Sequence, residues 1–176
     1  LSLTALCAVA VCRALERSGG ISAAIKWPND LVLHHRKLGG ILTELSLDGK
    51  SGRGDWVIVG IGINCRQRPK DFPPELADTA ISLDLAGYPV KRSALAAALM
   101  EELDTLCNQV PPDPERWLAD YRSRCLTVGR RVRILRDGAS LEADAVAVDE
   151  QYGLVVRRCD GTEEVLRAGE VSVRGL

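Results

Sequence analysis

The stretch "IKWPND" (25–30) is followed by "KLGGILTE" (37–44) and then by "WVIVGIGIN" (56–64), and the reading of these three pieces decides the fold. They are apolar around a few polar positions and separated by wet connections, His34-His35-Arg36 and "DGKSGRGD" (48–55). Short connections between consecutive strand-like runs favour antiparallel hairpins. The centre of the chain is therefore expected to be a three-stranded antiparallel meander within a wider sheet. Side chains alternate faces along a strand. In the third piece Val57, Val59, Ile61 and Ile63 then share one face, a β-branched core surface, while Ile58, Gly60, Gly62 and Asn64 share the other. Glycine inside a strand marks a bulge or the close approach of another group. The second face thus reads as a floor on which a flat ligand can lie, and Gly39 and Gly40 repeat the arrangement next to Lys37.

The polar knot between these strands has a complementary reading. Pro28 fixes its own φ and restricts Trp27 before it, so the backbone carrying Asn29 and Asp30 is stiff. A stiff backbone lowers the ordering cost of binding. Asn29 can donate and accept, Asp30 can hold a magnesium ion or accept a proton, and Lys37 can neutralise a carboxylate, a phosphate or their mixed anhydride. Each residue also has an ordinary reading: Lys26 as a solvated strand lysine, Trp27 as core, Asn29-Asp30 as a turn.

The flanks supply the rest of an α+β fold. The opening segment (1–20) lacks a basic n-region, is interrupted by Arg13, and falls short of the ~20 apolar residues of a membrane span. It reads as a core helix stopped by Gly19-Gly20. The proline-rich segment 66–80 is a loop, with a short helix expected at 75–79. Segment 91–110 places Leu95, Leu99, Leu103 and Leu106 at helical spacing, and Pro114 opens a further helix. From Val128 the character changes to short alternating strands separated by turns at "RDG", "DEQYG", "CDG" and "AGE", which suggests a small β-barrel or sandwich. A boundary is placed near residue 126, giving units 1–126 and 127–176.

With 176 residues, net charge −1 and pI near 6.2, bulk charge does not suit a nucleic-acid binder. Arg130, Arg131, Arg133 and Arg136 alternate without an aromatic platform, as a solvated strand face does. Six cysteines without a C-x-x-C pair and only two histidines fit reduced cytoplasmic thiols better than a disulfide framework or zinc site. The chain opens on Leu1 and its single methionine is Met100, so it is expected to be a piece of a longer protein.

Taken in order, "KWPND", "KLGGILTE" and "GIGIN" resemble the catalytic domain of biotin protein ligase, and the helices and terminal β-rich segment follow that family's layout. The resemblance implies a partial catalytic domain of the class II aminoacyl-tRNA synthetase-like kind followed by an SH3-like barrel. It implies a biotin–[acetyl-CoA-carboxylase] ligase, which joins biotin and ATP into biotinyl-5′-AMP with Mg²⁺. The biotinyl group then passes to one lysine of a biotin carboxyl carrier domain. By the same resemblance Lys37 and Asp30 are catalytic, with Asp30 also near Mg²⁺. Lys37, Gly39, Gly40, Ile41 and Leu42 line the biotin site, and Asn29, Asn64 and Lys26 lie near the nucleotide. The family's glycine- and arginine-rich loop, GRGRxGR, belongs upstream of the first helix. "SGRGDW" (51–56) sits in a turn and does not replace it, so the isolated chain is expected to be weak or inactive. A homodimer through the sheet is a further implication, and DNA binding would require an upstream winged-helix domain. Two rivals stand beside this reading: a lipoate-type ligase, and a non-catalytic module that binds biotin or its adenylate.

Overall fold

The structure is a computed structural model that describes residues 2–47, 54–108, 113–136, 139–167 and 170–173. The expected turn at 48–55 falls largely outside the described residues, as do the centres of the "RDG" and "AGE" turns. Helix α1 (Ser2–Gly19) is rich in alanine and leucine, and ten of its residues are buried. It ends as expected. Gly20 adopts φ +63°, a conformation that costs glycine little, and its N–H donates to the Glu16 carbonyl at 2.8 Å.

A four-stranded antiparallel sheet lies against this helix in the order β1 (Ala24–Lys26), β2 (Asp30–Leu33), β3 (Arg36–Leu47), β4 (Gly54–Ile63). The expected three strands are four because the polar knot is itself a turn: Trp27–Asn29 folds the first piece back on itself, pairing Lys26 with Asp30. The peptide bond between Trp27 and Pro28 is cis. The core face of β4 needs one correction as well. Val59, Ile61 and Ile63 pack on the core, but Val57 is 42% exposed because it lies at the outer end of the strand.

Segment 64–91 contains two short 3₁₀ turns, Pro69–Asp71 and Pro74–Leu76, where a helix was expected at 75–79. Helices α2 (Arg92–Asn108) and α3 (Pro114–Arg124) then cover α1. Leu95 and Leu106 are buried and Leu99 and Leu103 partly so, as the spacing predicts. Asp113 caps α3 by accepting from Arg116 N–H at 3.1 Å, with Pro114 in the first turn. The helices are cross-linked by charge: Arg13 reaches Asp120 at 2.7 Å, Arg124 bridges Glu16 and Asp120, and Arg17 meets Glu101 and Glu102. Arg13 also stacks 4.0 Å from the centroid of Trp117.

The C-terminal strands β5 (Arg131–Arg136), β6 (Ala139–Val148), β7 (Leu154–Arg157), β8 (Glu163–Leu166) and β9 (Glu170–Val173) form an antiparallel sheet in the order β8-β7-β6-β5-β9. Among the described residues β8 and β9 do not pair, so the sheet is open where a barrel was expected. Its buried side chains, including Val132, Ala143, Leu154 and Val156, join the same core as α1. No helix among the described residues is long and apolar enough to cross a membrane.

All six cysteines are free. Burial pushes the Cys7 thiol to about 11 and the Cys12 thiol to about 12, and it raises Cys125 too. Thiolates are the reactive species. At pH 8 a thiol reagent should therefore label exposed Cys107 and Cys159 quickly, and Cys7, Cys12 and Cys125 only at the rate of unfolding. Mass spectrometry of the labelled peptides checks the order.

Candidate functional site

Four consecutive residues of the knot are held by three parts of the chain: the C-terminal unit, α3 and β3. The Trp27 main-chain N–H donates to Thr127 Oγ1 at 3.0 Å, its indole Nε1 donates to the Tyr152 carbonyl at 2.9 Å, and the side chain is 1% exposed. The Pro28 carbonyl accepts from the Tyr121 hydroxyl of α3 at 3.1 Å. Asn29 exchanges two bonds with Ile41 of β3: its Nδ2 donates to the Ile41 carbonyl at 2.7 Å, and its own carbonyl accepts from Ile41 N–H at 3.0 Å. Asp30 Oδ1 lies 2.5 Å from Lys37 Nζ.

The floor follows from register. Asp30 pairs with Gly40 and Gly40 with Gly62, so these three residues stand in one row across β2, β3 and β4. Leu31, Gly39 and Ile63 form the next row. Beyond this second row β3 bulges: Leu31 faces Gly39 while Val32 already faces Lys37, so Leu38 is the extra residue. The bulge changes the phase of the strand. Leu38 is fully buried, and Lys37 turns to the side of Gly40, where a Cβ on Gly40 would sit 3.4 Å from Asp30 Oδ1 and 3.8 Å from Lys37 Cε. The glycines do different jobs. A Cβ on Gly39 would lie 2.0 Å from the Gly62 carbonyl oxygen, so that position admits no side chain. On Gly60 or Gly62 a Cβ would meet nothing closer than 3.8 Å, so the strand pairing does not require their bareness.

Two clefts open over this floor. The smaller, of about 440 Å³, lies over Gly40, Gly60 and Gly62 with Leu42, Asn29 and Ile41 around it. The larger, of about 710 Å³, runs past Lys26, Gly39 and Asn64 to a wall made by Phe72, Leu76 and Ala80. Asp30, Lys37, Gly40 and Gly62 line both. That second wall comes from the proline-rich loop, in which the sequence reading named no site residue. Its one legible signal is Phe72, the chain's single phenylalanine, placed in an otherwise polar loop and half-buried. The loop is stitched to the strand ends by main-chain bonds: Lys37 N–H donates to Thr79 at 2.7 Å, Ile81 N–H to Lys37 at 2.9 Å, and Leu83 N–H to Asn64 at 2.9 Å. Asn64 adds a side-chain bond, Nδ2 to the Ile81 carbonyl at 3.1 Å.

Each residue expected from the sequence therefore has a place. Lys37, Asp30, Gly39, Gly40, Ile41, Leu42, Asn29, Asn64 and Lys26 all line one cleft or both. The amides of both asparagines are already given to main-chain carbonyls, so they brace the walls as well as lining them. Lys26 is only half-exposed, less wet than an ordinary surface lysine. The Lys37–Asp30 pair stands in partial contact with water, with the lysine side chain 54% exposed and the carboxylate 22%. A pair so placed contributes little stability, and an incoming anion can take the ammonium from Asp30. No group of three or more His, Cys, Asp or Glu side chains that could hold a metal occurs among the described residues. A magnesium ion carried on substrate phosphates needs only one or two protein carboxylates, and Asp30 is the carboxylate that borders both clefts.

Comparison with known proteins is consistent along the chain. Residues 2–64 match the biotin/lipoate A/B protein ligase family, and residues 127–174 match the biotin protein ligase C-terminal domain. The bifunctional ligase/repressor BirA of Bacillus subtilis is 33% identical over 172 residues, covering 94% of this chain and 51% of that protein. The biotin–[acetyl-CoA-carboxylase] ligase of Mycobacterium tuberculosis is 34% identical over 148 residues, covering 84% and 52%. The chain thus spans about half the length of the curated relatives it matches. Among solved structures, apo biotin protein ligase from Aquifex aeolicus superposes with a TM-score of 0.83 at 27% identity, covering 99% of this chain and 75% of that one. The same ligase in complex with biotin and ATP gives 0.80 at 26% identity, covering 99% and 71%.

The glycine geometry yields a paired expectation. Gly39→Ala should lower thermal stability sharply, since backbone must move to relieve the overlap, by about 2 kcal/mol or more. Gly60→Ala should stay within about 1 kcal/mol of the parent, because its Cβ meets only ordinary contacts. Denaturant melts of the two variants measure the difference.

Proposed function

We propose, on the premise that this chain belongs to the biotin protein ligase family, that it carries the floor and reacting pair of an ATP-dependent biotin ligase. The observation that supports this reading most is the meeting of two clefts at one cation–carboxylate pair over a floor of glycines. The smaller cleft, flat and edged by Leu42, suits the fused rings of biotin. The larger, with Phe72, Leu76 and Ala80 on one side and polar groups on the other, suits a nucleotide. Placed so, the biotin carboxylate and the α-phosphate meet beside Lys37.

The proposed chemistry has two steps. A biotin carboxylate oxygen attacks the α-phosphorus of ATP, the bond to the bridging oxygen breaks, and pyrophosphate leaves with the electron pair. Two anions approach each other in this step, and Lys37 stabilises the charge that develops between them. Magnesium, when bound, would neutralise phosphate oxygens of the leaving group. In the second step a lysine amine of a biotin carboxyl carrier domain attacks the acyl carbon, and AMP departs. The amine must lose a proton, and Asp30 is placed to accept it once Lys37 has turned to the substrate. Lys26, Asn29 and Asn64 hold the nucleotide side, while Gly39, Gly40, Ile41 and Leu42 hold biotin. This activity belongs to the longer protein of which the chain represents about half.

The finer assignments go with this reading. The unit 1–126 is part of a synthetase-like catalytic domain, and 127–176 is an SH3-like module whose strands form the open sheet described above. The protein works in the cytoplasm, and DNA binding rests on a winged-helix domain outside this sequence. Two copies meet along the sheet, a reading supported by Leu45, Trp56 and Ile58, each more than half exposed on β3 and β4. A lipoate-type ligase is the alternative within the fold; biotin, and not lipoate, should raise the melting temperature of the protein.

In the longer protein, Lys37→Met should slow biotinyl-5′-AMP formation by roughly 10²–10³-fold, measured as pyrophosphate release. With preformed biotinyl-5′-AMP, Asp30→Asn should slow transfer to the carrier lysine by roughly 10²-fold. An unchanged transfer rate removes Asp30 as the proton acceptor. Ile58→Lys should turn a dimer into a monomer in sedimentation velocity runs, and it should leave the melting temperature within a few degrees, because the side chain it replaces is 54% exposed.

A further inference from the structure

We propose that Thr127, in the turn that leads into β5, is a positioning residue for the Lys37–Asp30 pair, and that the C-terminal unit sets the reacting groups through it; this rests on the ligase reading above. Thr127 is fully buried and its hydroxyl oxygen is the acceptor for the Trp27 N–H. That bond joins residues 100 positions apart in sequence. Three residues after Trp27 stands Asp30, and the two residues between them are pinned by α3 and β3. A turn held at every residue transmits a displacement at one end to the other, because none of its peptides has room to absorb it.

The C-terminal unit is itself prepared for this contact. Tyr152, whose carbonyl takes the indole N–H, adopts φ +62° and is 6% exposed, with its ring edge-on to Tyr121 at 5.3 Å. That conformation is secured by Asp149, which accepts from the N–H groups of Gln151 and Gly153 and pairs with Arg167 at 2.6 Å. A third point of attachment, Leu126 N–H to the Ile25 carbonyl at 3.0 Å, enters the strand just before the knot. These three contacts thus converge on residues 25–27. Packing alone would have been served by apolar contact. Directional bonds to one main-chain N–H and one indole N–H fix rotation as well as distance.

The test compares Thr127→Val, which keeps the shape and removes the acceptor, with Thr127→Ser, which keeps the hydroxyl. Val156→Ala, a cavity at a fully buried position of β7, is the control for lost stability. In the longer protein Thr127→Val should lower kcat for biotinyl-5′-AMP formation by about tenfold, with KM for biotin and for ATP changed by less than about twofold. Thr127→Ser should restore kcat, and Val156→Ala should leave it near the parent value at an equal loss of melting temperature. In the 176-residue chain itself, amide resonances of Asp30, Lys37 and Gly40 should shift in Thr127→Val and not in Val156→Ala. Unmoved resonances overturn the proposal, as does an unchanged kcat or an equal fall in the control. If the parent protein forms no biotinyl-5′-AMP, the ligase reading fails, while the resonances still decide the positioning. Should Thr127→Val not fold, Thr127→Ala, which removes the same acceptor, replaces it with the same expectations.

Discussion

The structure depends on the burial of Trp27. Its large indole is fully enclosed, and the C-terminal unit accepts from both the indole N–H and the main-chain N–H of this residue. Buried polar groups without partners are costly, so the two units cannot separate without exposing the ring and orphaning both donors. The residues that follow inherit this rigidity. Pro28 is pinned by α3, and Asn29 and Asp30 by β3, so the carboxylate reaches the cleft from a backbone with little freedom. Preorganisation of this kind lowers the ordering cost of binding.

The floor shows how one bulge can serve two purposes. Without an extra residue in β3, Lys37 and Gly40 would fall on opposite faces, because they are separated by an odd number of positions. Inserting Leu38 sends its side chain into the core and brings Lys37 round beside Asp30. The next row needs a glycine at 39, where the neighbouring carbonyl leaves no space for a Cβ. Gly60 and Gly62 are different. Among the described residues nothing comes closer than 3.8 Å to where their Cβ atoms would sit, and both border the smaller cleft.

Behind the sheet, α1 is locked by charge as well as by apolar contact. Arg13, Arg124, Asp120 and Glu16 form a connected set linking α1 to α3, and the arginines are largely enclosed. Arg124 shares its guanidinium between two carboxylates, an arrangement that holds α3 in register with α1. Since α3 carries Tyr121, the register of these helices is passed on to the Pro28 carbonyl and hence to the knot. The helical layer and the C-terminal sheet therefore converge on the same four residues.

Periodicity and parity are local properties, and what rests on them was legible in the sequence. The core helix and its glycine stop, the antiparallel strands, the spacing of Leu95 through Leu106 and the bare face of Gly60 and Gly62 all follow from residue order. The three ordered motifs identified the family for the same reason, since each is a contiguous run. What the sequence misjudged lay where distant segments meet. The knot is a turn between two strands, the C-terminal strands stay open, and Val57 lies beyond the reach of the core. Only the tertiary structure decided that Lys37 faces Asp30, that Phe72 and Leu76 close one cleft, and that Thr127 and Tyr152 grip Trp27. Such contacts depend on pairings between residues tens of positions apart, and no periodic pattern within one segment encodes which distant partner will arrive.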